Sequence, residues 1–339
     1  MSTQITSQFT DSLGDDALRS VYQREMLDRA EELLLAHRVA TPHTINKAQG
    51  DTQKWRRYDK FAVATTALVE GVTPSGKSKT KTDLNAQLSQ YGDYVVDSDW
   101  LLDTQPEDVK LVNAGLLGDQ AGETKDKLMM NEFATQVTNK YYANAVAGTA
   151  NIIVPPVITD WNKVIRDLGN ARAKTYAPEV SATTKIGTGP IMRSFWCIIT
   201  EDMFLSVRAL TGFRMLAEYA SSTAGVLGEM GALPQAGIRF LVVSKTAGYY
   251  ESGIGASGTT VYQNDGANFD VHSAFVFGQN AVGSVGHSTN SMQMITHDRG
   301  SAGSADPLNQ RATMGWKMAD GREIMNDTWC AEVQGAVLL

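Results

Sequence analysis

From Lys54 to Val96 the chain keeps a two-residue rhythm that only extended backbone can satisfy. Between Lys77 and Ser89 the odd positions are Lys77, Lys79, Lys81, Asp83, Asn85, Gln87 and Ser89. The even positions are Ser78, Thr80, Thr82, Leu84, Ala86 and Leu88, so one face is polar and the other less so. The ascending arm puts Trp55, Phe61, Val63 and Val69 on odd positions, and Gly71, Pro74 and Gly76 mark a turn. The pattern predicts one long two-stranded hairpin. Its charge is lopsided: Lys54, Arg56, Arg57, Lys60, Lys77, Lys79 and Lys81 face only Asp59 and Glu70. That is an excess of five positive charges in a chain of net charge −7, which leaves the remainder at −12. Two strands alone are marginal in water. Such a ribbon needs a partner surface, and an acidic neighbouring copy of the same chain would serve.

The same stretch matches a nucleotide-binding pattern. Gly71-Val72-Thr73-Pro74-Ser75-Gly76-Lys77-Ser78 fits G-x-x-x-x-G-K-[ST] letter for letter. That loop works only if a helix begins at the Lys-Ser, so that backbone amides and the helix N-terminus face the phosphates. Here Ser78 to Thr82 continues as a strand pattern. A phosphate-loop enzyme using Gly71 to Ser78 is therefore the competing reading, and its context argues against it.

A length of 339 residues suggests about two domains and ample core. With 42% hydrophobic and 20% charged residues the composition is that of a globular chain. Cys197 and Cys330 are the only cysteines, which rules out a disulfide scaffold and fits a reducing compartment. No secretory signal pattern and no apolar run of membrane-spanning length is visible. The negative net charge argues against general nucleic-acid affinity, though the hairpin alone could touch phosphate.

Along the chain, the spacing predicts a helix from about Asp15 to His37, capped by Asp15, with Glu25 and Arg29 paired at i,i+4. Leu18, Val21, Tyr22, Met26, Ala30, Leu33 and Leu34 form its apolar stripe, which favours a packed helix over a free arm. Thr104-Gln105-Pro106-Glu107 reads as a capping box opening a second helix to about Tyr142, roughly 55–60 Å long. Gly115, Gly118 and Gly122 mark a bend or a close contact within it. A helix follows from Thr159 to about Ala173. Phe195–Ile199 and Ile238–Val243 read as buried strands, and Thr200 caps a helix running to Tyr219. Residues 252–268 form a Gly-rich loop whose G-x-G-x-x-G (Gly253 to Gly258) lacks a following helix pattern. The irregular interleaving points to an α+β fold.

Catalytic constellations are scarce. His37, His43, His272, His287 and His297 are scattered without metal-ligand spacing, and there is no G-x-S-x-G. Glu229, between Gly228 and Met230, fits a turn-closing carboxylate better than a catalytic acid. The expectation is a non-enzymatic chain without cofactor or metal.

Lys54-Trp55-Arg56-Arg57-Tyr58, Leu68-Val69-Glu70-Gly71-Val72-Thr73-Pro74 and Gln90-Tyr91-Gly92 resemble the major capsid proteins of tailed bacteriophages, specifically the family typified by N4-like phages. So do Gly228-Glu229-Met230-Gly231, Gly237-Ile238-Arg239-Phe240, Asp306-Pro307-Leu308-Asn309-Gln310 and Gly315-Trp316-Lys317, in the same order. The likeness runs from about Asp16 to Val333.

The resemblance implies the tailed-phage major-capsid fold. It would divide the chain into an N-terminal arm (1–47), an extended β-hairpin loop (48–99), a peripheral domain with a spine helix (100–150), an axial domain (151–284) and a return to the peripheral domain (285–339). It implies self-assembly into hexamers and pentamers of an icosahedral head around double-stranded DNA, in the virion after assembly in the host cytoplasm. Lys54, Arg56, Arg57, Lys60, Glu70, Lys77, Lys79 and Lys81 would make inter-subunit contacts. A portal and possibly a decoration protein would be further partners, with no membrane. Because the chain starts almost at its first helix, a separate scaffolding protein is expected.

Overall fold

The computed structural model describes residues 13–73, 75–176, 193–218, 229–256, 268–301 and 306–337. Among these, the helices are α1 (Leu13–Leu33), α2 (Asp99–Thr104), α3 (Val109–Gln136), α4 (Ile158–Asn170) and α5 (Glu201–Arg208). The first strands are β1 (Thr41–Ile45), β2 (Thr52–Tyr58), β3 (Lys81–Gln87), β4 (Ser89–Ser98) and β5 (Lys140–Tyr142). Then come β6 (Phe195–Thr200), β7 (Arg214–Met215), β8 (Glu229–Leu233), β9 (Ile238–Val243) and β10 (Tyr250–Glu251). The last are β11 (Val271–Phe277), β12 (Val282–His287), β13 (Gln293–His297), β14 (Arg311–Ile324) and β15 (Cys330–Ala336). The class is α+β, as the sequence implied.

Three sheets result. An eight-stranded mixed sheet runs β5-β15-β11-β6-β9-β8-β7, with β10 added beside β11. Its central strands are buried along their whole length, which is why they read as continuous apolar runs. Period-2 alternation divides their side chains between two cores. Phe195, Cys197 and Ile199 of β6 join Phe240 of β9 and Val276 of β11 against Trp161, Val164 and Met203 of α4 and α5. Trp196 and Ile198 point the other way with Leu241, Phe275 and Phe277, against Met129, Met130 and Phe133 of α3.

A five-stranded sheet is organised by the 14-residue β14. One edge of β14 pairs with β4 over its first ten residues; the other takes β13 and then β12, with β1 parallel to β12. Met314, Trp316 and Met318 of β14 pack on Ala114, Leu117 and Ala121 of α3 and Met26 of α1. Helix α3 therefore serves two cores, its N-terminal half under one sheet and its C-terminal half under the other. At 28 residues it spans about 42 Å.

The glycines of α3 mark a close contact rather than a bend. A Cβ at Gly118 would meet the Met26 carbonyl oxygen at 2.6 Å, and one at Gly115 would meet the Arg29 guanidinium at 2.7 Å. Arg29 pairs with Glu25 at 3.2 Å, as predicted, and also with Asp119 at 3.3 Å. Helix α1 is thus packed, with Met26 and Ala30 buried. Asp15 lies inside it and is not its cap.

Other boundaries differ from the sequence reading: α1 ends at Leu33 rather than His37, and the long helix ends at Gln136 rather than Tyr142, where β5 follows. The long helix begins at Val109, where the Asp108 carboxylate accepts from the Leu111 amide. Thr104 instead ends α2, its hydroxyl bonded to the Trp100 carbonyl. A capping box needs its third residue in the first helical turn, and here the chain turns between two helices. Helix α5 stops at Arg208, because Gly212, at φ +88°, leads into β7. Glu229 closes no turn; it is buried in β8 with its carboxylate 3.9 Å from Arg239, also buried.

Candidate inter-subunit surface

The predicted hairpin is present but shorter as a ladder. Strands β2 and β3 pair antiparallel over seven residues, from Thr52↔Gln87 to Tyr58↔Lys81. The arms keep that register further out, where the Asp59 amide donates to Thr80 O (3.1 Å) and the Lys77 ammonium to Ala62 O (3.3 Å). The reversal comes at 69–72, closed by Val72 N to Val69 O at 3.2 Å, with Gly71 at φ +78°. A positive φ at the third residue is what a type II turn requires.

The descending strand does not run on to Val96 in the same ribbon. At Leu88 the chain leaves β2, and β4 joins β14. Alternation survives the switch because period reports which face is covered, not which strand lies alongside. On β3 the even residues face inward, with Ala86 buried, and the odd ones are exposed. Phe61, Val63 and Val69 lie beyond the strand, in exposed chain.

The root of the hairpin is fixed to its own subunit. Trp55 packs with Leu88 against Ile45, Ala86 and Val285, and its ring meets His43 edge-on at 5.3 Å. Gly283 lies beneath it, where a Cβ would come within 2.7 Å of the indole. Arg57 donates to the Met325 carbonyl (3.2 Å) and the Asn326 side chain (3.0 Å), and Lys60 stands 5.7 Å over the Trp329 ring. Arg56 pairs across the strands with Asp83 at 2.7 Å, and Lys81 lies 3.8 Å from the same carboxylate. The Arg56 hydrogen bond holds Asp83 below the usual carboxylate range, and Asp83 in turn raises Arg56. Asp83, Asn326 and Trp329 escaped the sequence reading. The turn at 69–72 would by itself set Asn85 opposite Arg56; the ladder runs two residues out of that register, at Arg56↔Asp83, so the pairing could not be read from the turn.

Beyond the root nothing covers the ribbon. Every described residue from 59 to 80 is exposed, including Phe61 at 53% and Leu68 at 79%. Among the described residues, the side chains of Lys54, Glu70 and Lys79 have no polar or charged partner. Arms of about ten residues give a reach of up to about 33 Å beyond the ladder. Each large apolar side chain here gains about 1.5–3 kcal/mol if another surface buries it.

This geometry also decides the nucleotide reading. No helix starts at Lys77; residues 75–80 are in no regular secondary structure and are exposed, and the lysine bonds a backbone carbonyl. Among the described residues of 71–78, no helix N-terminus presents its amides to a phosphate. In the second glycine motif, Gly253 has φ +61° and donates to Asp270, while positions from 257 onward lie outside the described residues.

No family model matches the sequence, and no curated protein does. Solved structures do. The chain is similar to the capsid of Ralstonia phage GP4 (TM-score 0.62, 10% identity, covering 88% of this chain and 87% of that one). It is similar to the acid-stable capsid of Helicobacter pylori bacteriophage KHP30 (TM-score 0.59, 10% identity, 89% and 88% covered). The capsid of cyanophage P-SCSP1u matches as well (TM-score 0.57, 14% identity, 88% and 87% covered). The fold is therefore the major-capsid fold of tailed phages, over nearly the whole chain.

Proposed function

We propose that this chain is a structural subunit that self-assembles into the hexamers and pentamers of an icosahedral phage head enclosing double-stranded DNA. The observation that carries the reading is the uncovered, basic and apolar ribbon on a capsid fold. A subunit that leaves Phe61, Val63 and Leu68 in water requires a neighbour to cover them. The role is structural and involves no catalysis.

In this reading α1 and the residues before it form the arm, and residues 48–99 the extended loop. Helix α3 is the spine of a peripheral half built on the five-stranded sheet. The eight-stranded sheet is the axial half at capsomer centres, and it takes in β15 from the segment 285–339. A separate scaffolding protein, a portal and a decoration protein complete the particle, which assembles in the host cytoplasm. Since Arg56, Arg57 and Lys60 are engaged within their own subunit and Lys77 bonds Ala62 O, Lys54 and Lys79 are the hairpin cations with most freedom to reach a neighbouring subunit.

Negative-stain electron microscopy with sedimentation of the purified full chain tests the proposal. Capsomers, tubes or shells are expected, unchanged in form by Lys77→Ala. A monomer that binds ATP, and loses that binding with Lys77→Ala, would overturn it.

A further inference from the structure

Where α3 meets the five-stranded sheet, the molecule holds a cavity of about 300 Å³. Its inner wall includes Lys125 of α3, Asp320 of β14, Ser284 of β12 and His37 from the turn Ala36–Val39. Its mouth is polar, with His287, Ser288 and Ser291.

Two charged groups in this wall lack the partners that burial demands. Asp320 is only 3% exposed, yet among the described residues its carboxylate accepts no hydrogen bond, and Arg322 stands 3.6 Å from it. The Lys125 ammonium has no hydrogen-bond or ion-pair partner among the described residues. A buried carboxylate without donors is costly, so a group that supplies one is favoured there. The local field is positive in spite of the carboxylate. Burial, then Lys125 and Arg322, push His37 down to about 3, so its ring is neutral, with Nε2 hydrogen-bonded to Ser284 Oγ at 2.6 Å. Burial raises Asp320 against the pull of the same two cations.

The chemistry of the wall narrows the occupant. Among the described residues no group of three His, Cys, Asp or Glu side chains is placed to hold a metal ion, and two cations already face the site. A fully ionised anion such as sulfate would meet Lys125 but would set its charge against Asp320 and offer it no proton. A phosphate that keeps one proton answers both groups. Its oxygens accept from Lys125 and the serine hydroxyls, and its P–O–H donates to the carboxylate. His287 is set to help, because its Nδ1 accepts the Thr289 and Asn290 amides at 3.2 Å, which leaves Nε2–H as a donor.

We infer that this cavity binds a protonated phosphate, either inorganic phosphate or a phosphate monoester, with Lys125 as its cation and Asp320 as the acceptor of its proton. A phosphodiester of a nucleic-acid backbone has no proton to give, and the same carboxylate rejects it. The inference does not depend on the assembly reading.

Isothermal titration calorimetry on the full chain, in whatever state of assembly it takes, tests this at about pH 6, near the second ionisation of phosphate esters. Inorganic phosphate and glycerol phosphate are compared with sulfate and dimethyl phosphate at constant ionic strength. Saturable binding of inorganic phosphate is expected, about tenfold or more tighter than either sulfate or dimethyl phosphate. Glycerol phosphate binding as tightly would assign the site to esters as well; much weaker binding would assign it to the free ion. Lys125→Met is expected to abolish the binding. Asp320→Asn, whose amide can donate, is expected to weaken phosphate by about tenfold and to admit sulfate, a reversal that a merely structural carboxylate would not give. If Asp320→Asn does not fold, the sulfate comparison and Lys125→Met decide. Equal binding of sulfate and phosphate, no saturable binding at all, or binding that survives Lys125→Met would overturn the inference.

Discussion

The eight-stranded sheet and the hairpin are built from the same strand chemistry and solve opposite problems. In the sheet, β6, β9 and β11 bury every residue, because helices close both faces within one chain. In the hairpin, seven ladder pairs stand on one small cluster, and the ribbon beyond them is covered by nothing. The difference is in where the stabilising partners reside. The sheet holds its partners internally and is committed to one structure on folding. The hairpin leaves apolar surface and cations exposed, and in the assembly proposed above a neighbouring subunit would supply the cover that its own chain does not.

The sharpest way to break the contrast is to damage each region and compare. Phe275→Ala opens a cavity where the ring packs between Phe133 and Phe277, at 5.7 and 6.4 Å between centroids. A loss of about 3–5 kcal/mol is expected. Chemical denaturation measures it, and a loss under about 1 kcal/mol would mean the sheet is less tightly committed than its burial implies.

A second test uses pH, because the fully buried titratable histidine of the sheet sits in the body and not in the hairpin. Burial pushes His272 down to about 4, outweighing the nearby Asp202 and Asp270 carboxylates, while Lys245 adds to the lowering. Its ring is held by the Thr200 hydroxyl at 2.8 Å and stacks on Tyr250. On acidification below pH 6.5 the unfolded chain takes up a proton that the folded His272 refuses until about pH 4. Stability therefore falls across that window, by up to about 3 kcal/mol from this group. His37, pushed to about 3 by burial and by Lys125 and Arg322, has the same sign and extends the loss to lower pH. His272→Gln is expected to flatten the upper part of this limb; an unchanged pH profile of the unfolding midpoint would assign the loss elsewhere.

The smallest effect sharpens the comparison at the hairpin root. Trp55→Ala removes the ring between His43 and Gly283 and is expected to cost about 2 kcal/mol locally. Hydrogen exchange of residues 52–58 and 81–87 should accelerate while the amides of β6 and β11 stay protected. Equal acceleration in both regions would show that the hairpin and the body unfold together.

Much of this molecule was legible because hydrophobic period reports burial directly. The runs Phe195–Ile199 and Ile238–Val243 are strands β6 and β9 nearly to the residue, and the helix predicted from Thr159 is α4. The inward even positions of β3 follow from Leu84, Ala86 and Leu88. Errors fell where local signals compete. Thr104 and Glu107 make a sound capping pattern, but the chain closes α2 there and Asp108 caps α3.

By itself the sequence determined which residues face a core and that a turn falls at Gly71, and it marked out a basic ribbon whose two strands alone are marginal in water. Only the tertiary structure decided that β4 lies beside β14, that Arg56 answers to Asp83 and Arg57 to Asn326, and that Glu229 is buried against Arg239. The reason is physical. Period and propensity act over a few neighbouring residues. The choice of strand partner joins segments more than two hundred residues apart, and depends on which long-range pairing closes both cores at once.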